Sequence, residues 1–326
     1  MEPEHPGPGQ SLRVCIVGCG AVGSLFAAHL GCLPGVEVWA YDVAEDHVAA
    51  INSAGLRLTG HANLTGRVRA RTDPGEIPPC PLGIVATKSL FTEAAIRAVA
   101  PVFAGAAVAS VQNGVGNEEI IAEHVPRVIR GTTFPAGHVT APGVVEMDAT
   151  GDTWLGPFEA QPAEPEEIQQ LAETLTRSGM PTLALADARG AQWTKLIFNA
   201  ATNPLGALTG LSHGRLCELR PTRRLVSGLV AEGVAVAAAL QIALDSDPEV
   251  LVDHAAEVAY DHRASMLQDV LARRRTEIES LNGGIVRFGA QTGVPTPLNE
   301  AITALVLGLE RSWSAGAQPA TQAARS

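Results

Sequence analysis

Lys195, Asn199 and Asn203 recur at i, i+4 and i+8 within the segment WTKLIFNAATNPL, residues 193–205. On a helix they share one face. The residues between them are mainly apolar. An amine and two amides on such a face form a small polar site suited to an oxyanion or a hydroxyl, although the spacing alone also fits a solvated stripe. A lysine ammonium can give up a proton and stabilise negative charge as it forms, and burial can tune its affinity for that proton. Asparagine amides can donate to a carboxylate without adding charge.

A second constellation lies near the N-terminus. Gly18-Cys19-Gly20-Ala21-Val22-Gly23 is a G-x-G-x-x-G that follows an apolar, strand-like run, Arg13–Val17, and opens a helical stretch, Ala21–Leu30. In that context the pattern is a dinucleotide fingerprint. Gly18 allows the tight turn, Gly20 lets the backbone approach a pyrophosphate, and Gly23 lets helix and strand pack closely. The helix N-terminus adds free N–H groups and positive potential. Asp42 ends the next strand candidate, Val36–Tyr41, 24 residues after Gly18. A carboxylate there can accept the adenosine ribose hydroxyls and would repel a 2′-phosphate, so NADH is favoured over NADPH. Asp42 also fits a solvated strand end, and Arg57, Arg67 or Lys88 offer alternative phosphate partners.

The elements that must position these groups follow from the pattern. Ile84–Thr87 and Ala106–Val111 are further strand candidates, with a helical stretch at Thr92–Val99 between them. Such alternation predicts a parallel sheet covered by helices. Residues 131–156 read as antiparallel strands, followed by a helix at Pro162–Ser178 and a strand at Thr182–Ala186. Beyond Asp187 the pattern is helical: Gln192–Asn203, Leu225–Leu244, Pro248–Val252 and onward, Ala264–Asn282 and Pro297–Ser312. The expectation is an α/β chain with an N-terminal Rossmann-type domain over 12–188, an all-α domain over 189–313, and loose tails at 1–11 and 314–326.

Composition agrees with this reading. The 326 residues are more than one core usually serves. With 46 % hydrophobic and 17 % charged residues the chain is not disordered. A net charge of −11 argues against a nucleic-acid partner. Leu225–Leu244 is long enough to span a bilayer, but Ser227, Glu232 and Gln241 interrupt it, so it reads as a buried helix rather than a membrane span. Five cysteines without a C-x-x-C pair read as reduced thiols in a cytoplasmic protein, with no zinc site. The polar N-terminus MEPEHPGPGQ lacks the basic and apolar regions of a signal peptide.

Further motifs stand in order behind the glycine loop. Thr87-Lys88 and Gln112-Asn113-Gly114-Val115-Gly116 follow the third and fourth strand candidates, and Gly131-Thr132-Thr133 comes next. The lysine segment is followed by Ser265-Met266-Leu267-Gln268-Asp269 and Thr276-Glu277-Ile278-Glu279-Ser280-Leu281-Asn282-Gly283. In this combination the chain, over about residues 12–310, resembles the ketopantoate reductase (2-dehydropantoate 2-reductase) family. That resemblance implies a Rossmann domain and a helical domain with the active site in the cleft between them, and a homodimer. It also implies hydride transfer from NAD(P)H to a small-molecule 2-oxo acid, with the proton supplied by lysine. Lys195 matches the family's catalytic lysine. Glu277 matches the glutamate near the nicotinamide ribose and substrate. Asn113, Asn199, Asn203 and Ser265 match polar groups that hold cofactor or substrate. Lys88 and Gly137 fall at cofactor-contacting positions.

Read singly, Glu277 also fits a surface partner of Arg273–Arg275, Asn113 a turn residue before Gly114, and Ser265 a polar helix position. Trp193 and Met266 read as packing residues. Two positions depart from the family pattern. His213-Gly214 stands where an Asn-Gly reaches the substrate, and Asp42-Val43 stands where an arginine commonly holds the phosphate of NADP. The leading expectation is reduction of 2-dehydropantoate to (R)-pantoate, for pantothenate and coenzyme A biosynthesis. The alternatives are an NAD-linked 2-hydroxy-acid dehydrogenase for another branched or aromatic 2-oxo acid, and a dinucleotide sensor without turnover.

Overall fold

A computed structural model describes residues 11–315, so almost all of both expected tails, 1–11 and 314–326, lies outside the described residues. The chain divides into two compact units, Met1–Arg189 and Gly190–Ser326.

The main sheet of the first unit has eight strands. Their spatial order is Thr182–Ala184, Thr153–Pro157, Arg127–Thr133, Ala107–Ser110, Leu82–Val85, Leu12–Val17, Val36–Tyr41 and Val68–Arg71. The six strands from Arg127–Thr133 to Val68–Arg71 are mutually parallel, and Thr153–Pro157 pairs antiparallel with Arg127–Thr133. All residues of Leu82–Val85 and Ala107–Ser110 are buried, as expected of central parallel strands covered on both faces. The strand order reverses between Leu12–Val17 and Leu82–Val85, so the loops after these two strands meet at a topological switch point.

A second sheet, ordered Leu64–Gly66, Leu56–Gly60, Val144–Ala149 and Ala136–Ala141, lies beyond the helix Ala21–Leu30. That helix touches strands of both sheets, and its side chains from Gly23 to Leu30 are buried. The small residues Ala27 and Ala28 let backbone approach closely; a Cβ on Gly66 would meet the Ala28 carbonyl oxygen at 2.2 Å. The antiparallel strands expected over 131–156 are present but divided between the two sheets. One of them, Val144–Ala149, also pairs in parallel with Leu56–Gly60, a partner far away in sequence.

The second unit is helical: Arg189–Thr209 (entered from the end of the first unit), His213–Glu218, Arg220–Ala239, Pro248–Val258, Ser265–Leu271, Asn282–Thr292 and Pro297–Ala315. No described helix is long and apolar enough to cross a membrane. The mid-helix carboxylate Glu232 accepts the amides of Leu298 and Asn299 at 2.8 and 2.9 Å, capping the start of Pro297–Ala315. The single helix expected over Ala264–Asn282 is corrected: residues 272–281 are not helical, and helix resumes at Asn282. Arg273 takes a positive φ of 50°. Glu310 draws the Thr276 amide and hydroxyl to itself at 2.8 and 2.7 Å, which holds the break open.

Candidate functional site

The glycine loop turns out of Leu12–Val17 with Gly18 at φ +89°, and a Cβ there would press on Thr87 at 2.6 Å. A Cβ on Gly23 would meet the Gly18 carbonyl oxygen at 1.9 Å, whereas one on Gly20 would meet nothing within 4 Å. Gly18 and Gly23 are thus demanded by packing, and Gly20 leaves open space above the loop. The helix beginning with Ala21 and Val22 has no side-chain cap and no acidic residue in its first turn. Its leading amides are donors suited to an anion, so the loop fits a dinucleotide diphosphate.

Asp42 follows the second strand and turns back onto this loop. Its carboxylate accepts the Cys19 amide at 2.7 Å and the Ala44 amide at 2.9 Å. Burial, then the Asp42 charge, pushes the Cys19 thiol up, so it stays protonated and inert. A cleft of about 340 Å³ opens beside these groups, lined by Cys19, Gly20, Asp42, Ala44, Asp46 and His47 and by residues 139–142 of the second sheet's hairpin. Two carboxylates line it, and neither Arg57 nor Arg67 does. His47, absent from the sequence reading, accepts the Gly143 amide on Nδ1 at 3.0 Å, which leaves its remaining ring proton on Nε2. Gly137 lies on strand Ala136–Ala141, where a Cβ would meet the Glu146 carbonyl oxygen at 2.4 Å, and it is not among the cleft's lining residues.

Lys88 and Asn113 stand on adjacent turns behind neighbouring strands, Leu82–Val85 and Ala107–Ser110. Gln112, which sequence reasoning passed over as a site residue, stitches these turns together. Its side-chain amide donates to the Thr87 carbonyl at 2.9 Å and to the Thr92 hydroxyl at 2.8 Å. Ser89 Oγ and Asn117 Nδ2 both donate to the Asn113 carbonyl at 3.2 Å.

In the second unit, Lys195, Asn199 and Asn203 lie on the helix Arg189–Thr209, the lysine half-buried and both asparagines buried. Desolvation pulls the Lys195 ammonium down to about 8, and the Glu277 carboxylate pulls it partly back. Glu277 sits in the non-helical stretch 272–281, which is what brings its charge to bear on that helix. Ser265 opens the helix Ser265–Leu271 and is exposed. Trp193 packs edge-on against Phe288, with ring centroids 5.5 Å apart, and Met266 is buried; both are packing residues.

His213 is buried, its ring edge-on to Phe198 at 5.7 Å and close to His262 at 5.2 Å. Among the described residues neither of its ring nitrogens has a hydrogen-bond partner, nor has the neighbouring Ser212 hydroxyl. Burial, and then His262, lowers the His213 imidazole to about 4, so it is neutral at physiological pH and able both to donate and to accept. His262 was not singled out from the sequence; its carbonyl accepts the His213 amide at 3.2 Å.

One compositional signal also went unread. Lys88 and Lys195 are the only lysines in the sequence, although it holds 23 basic Lys and Arg residues. Arginine holds its proton too tightly to act as an acid, so of the Lys and Arg residues in a chain this rich in arginine the two lysines are those able to release one near neutral pH.

Comparison with known proteins gives a consistent picture. The family profile described as ketopantoate reductase PanE/ApbA matches residues 14–160, and that described as ketopantoate reductase PanE/ApbA C terminal matches residues 187–310. The 2-dehydropantoate 2-reductase of Pyrococcus horikoshii is 33 % identical over 308 residues, covering 92 % of this chain and 98 % of that protein. That of Halobacterium salinarum is 33 % identical over 302 residues, covering 90 % and 98 %. The crystal structure of a PanE/ApbA family ketopantoate reductase from Ralstonia eutropha matches with a TM-score of 0.84 at 32 % identity, over 93 % of this chain and 100 % of that one. A ternary structure of D-mandelate dehydrogenase with NADH and anilino(oxo)acetate matches with a TM-score of 0.83 at 26 % identity, over 93 % and 100 %.

Proposed function

The chain belongs to the ketopantoate reductase family, and from that premise we propose that it reduces 2-dehydropantoate to (R)-pantoate with NADH or NADPH, Lys195 giving the proton. It is an oxidoreductase. The observation that carries the proposal is the placement of Lys195 with the buried Asn199 and Asn203 on one helix, where burial lowers the ammonium's proton affinity and the Glu277 charge acts on it.

The glycine loop, Lys88, Asn113 and Glu277 would hold the dinucleotide, which when bound supplies hydride to the keto carbon. As charge grows on the keto oxygen, Lys195 stabilises it and then transfers a proton to it. With its affinity near neutrality, Lys195 is largely protonated at pH 7 yet gives the proton up more readily than an exposed lysine does. Glu277 offsets the cost of burying the ammonium and keeps it oriented. Asn199, Asn203, His213 and Ser265 are assigned to the substrate's carboxylate and hydroxyl groups. The acidic lining of the cleft beside Asp42 supports NADH as the better cofactor. The proposal extends to a cytoplasmic homodimer serving pantothenate and coenzyme A biosynthesis, with no nucleic-acid or membrane partner.

A second reading is an NAD-linked 2-hydroxy-acid dehydrogenase for another branched or aromatic 2-oxo acid. The ring of His213, between Phe198 and His262, favours it, as does the likeness to an NADH-bound D-mandelate dehydrogenase. A panel separates these readings: NADH and NADPH, each with 2-dehydropantoate, trimethylpyruvate and phenylglyoxylate, followed by loss of nicotinamide absorbance. The highest kcat/KM on 2-dehydropantoate supports the first reading, and the highest on phenylglyoxylate the second. No oxidation with any pair would leave a dinucleotide sensor as the better account.

A further inference from the structure

The helix that carries Lys195 contains Pro204 in its interior. Proline has no amide hydrogen, so the carbonyl of Ala200, four residues earlier, lacks the donor that an unbroken helix supplies. Ala200 is 1 % exposed, so bulk water does not replace that donor. The replacement is Asn282. Its Nδ2 donates to the Ala200 carbonyl at 2.9 Å and to Asn299 Oδ1 at 3.0 Å. Both partners are oxygens, which determines which way the amide points. Asn299 Nδ2 in turn donates to Glu232 at 2.7 Å, and Glu232 is itself held by the Leu298 and Asn299 amides. A relay therefore runs from the half-buried Glu232 through the buried Asn299 and Asn282 to the lysine helix.

Asn282 has a second attachment, through its backbone. It begins the helix Asn282–Thr292 directly behind the stretch that carries Glu277. That stretch is tightly wound: the Leu281 amide donates to the Glu277 carbonyl, and the Gly283 amide to the Ile278 carbonyl, both at 3.0 Å. Asn282 thus belongs by its backbone to the segment of Glu277 and by its side chain to the helix of Lys195.

We propose that Asn282 is a positioning residue that ties the Lys195 helix to the Glu277 turn through the carbonyl left open by Pro204, and so sets the electrostatic coupling between Lys195 and Glu277. The importance of that coupling for turnover rests on the functional reading above; the tie itself is measured without turnover.

With two lysines in the sequence, protein labelled with carbon-13 at lysine Cε gives two side-chain signals, distinguished by Lys88→Arg. The Lys195 titration midpoint is followed in the parent and in Glu277→Gln, and the displacement between them measures the coupling. The same pair of measurements is made in Asn282→Leu and in Asn282→Leu/Pro204→Ala, where a restored backbone amide satisfies Ala200. In the parent, Glu277→Gln should lower the midpoint by about one unit. In both Asn282 backgrounds the displacement should shrink by more than half, while Pro204→Ala returns thermal stability lost in Asn282→Leu. A displacement of parental size in the double variant would show that Asn282 merely satisfies a carbonyl, and would overturn the proposal. If Asn282→Leu alone does not fold, the double variant carries the test beside Glu232→Gln, which loosens Asn299 and should weaken the coupling in part. Parental coupling in every folded background overturns the proposal as well. A parent that reduces no 2-oxo acid would refute the functional reading and leave the titration result standing.

Discussion

Asp42 is bonded to the Cys19 amide between the first two glycines of the loop, at 2.7 Å, with its other oxygen on the Ala44 amide at 2.9 Å. Its charge is thereby held beside the cleft that Asp46 also lines. A 2′-phosphate brought there would face two carboxylates, so NADH should be used at least as well as NADPH. Asp42→Arg should raise the NADPH-to-NADH ratio of kcat/KM by about ten- to a hundredfold. Asp42→Ala should move it the same way, less far. Strong NADPH preference in the parent, unaltered by Asp42→Ala, would sink the assignment.

If Lys195 is the proton donor, Lys195→Ala removes both the acid and the charge that would stabilise the forming alkoxide. Steady-state kcat should fall by about 10²–10⁴-fold or more. The Kd for NADH without substrate, read by fluorescence, should change little, because the glycine loop is intact. Lys195→Arg should restore little, since a guanidinium does not release its proton. Near-parental kcat in Lys195→Ala would refute the proton-donor role.

The pH profile carries the sign of the lysine's environment. With Lys195 as the proposed proton donor, reduction requires it protonated, and kcat/KM for reduction should decline as pH rises through about 8. The reverse oxidation needs it neutral and should rise over the same range. Glu277 raises the lysine's affinity, so Glu277→Gln should move the reductive limb to lower pH. A limb near the ordinary lysine value, unmoved by that substitution, would contradict the pairing.

If His213 borders the substrate, as proposed, one substitution there tests both substrate choice and acid stability. Burial and His262 bring its imidazole from 6.5 to about 4, so the unfolded chain takes up the proton first. Stability present above the unfolded value is lost as pH falls from 6.5 towards 4, by about 3 kcal/mol from this group. His213→Asn should flatten that part of the stability profile, measured by urea unfolding at stepped pH. It should also change relative kcat/KM among 2-oxo acids while leaving the Kd for NADH nearly unaltered. An identical substrate profile would remove His213 from the substrate site.

Two glycines of one motif should fail in different ways. A Cβ on Gly23 meets the Gly18 carbonyl oxygen at 1.9 Å, so Gly23→Ala should unfold the first unit or lower its melting temperature sharply. A Cβ on Gly20 meets nothing within 4 Å, so Gly20→Ala should fold normally and lose NADH affinity. Equal thermal stability of the two variants would count against this division of roles.

What could be read from sequence follows from how local each signal is. Ala21–Leu30 and Val36–Tyr41 are legible to the residue because each is an apolar run bounded by glycine or aspartate. The break at 272–281 is not legible, because it depends on Glu310 binding Thr276 from 34 residues away. Helix Asn282–Thr292 contains three glycines and is poor in intrinsic propensity; packing overrides that preference. At the candidate site, the glycine loop, Asp42 and the spacing of Lys195 with its asparagines are local patterns. The contacts of Gln112 with Thr87 and of His213 with His262 join distant segments, and no periodicity announces them. Lysine scarcity is different in kind: it stands in the composition and needs only chemistry to interpret it.

The helix that opens at Ala21 is enclosed by strands of both sheets, and its residues from Gly23 to Leu30 are buried. It is therefore a fixed post that cannot tilt to meet a ligand. Calorimetry of NADH binding should show little entropic penalty from backbone ordering on this side, since the donors are aligned beforehand. The same enclosure makes this stretch intolerant of drift. A saturation library across residues 23–30 should return few survivors, and those few should concentrate where a swap preserves volume.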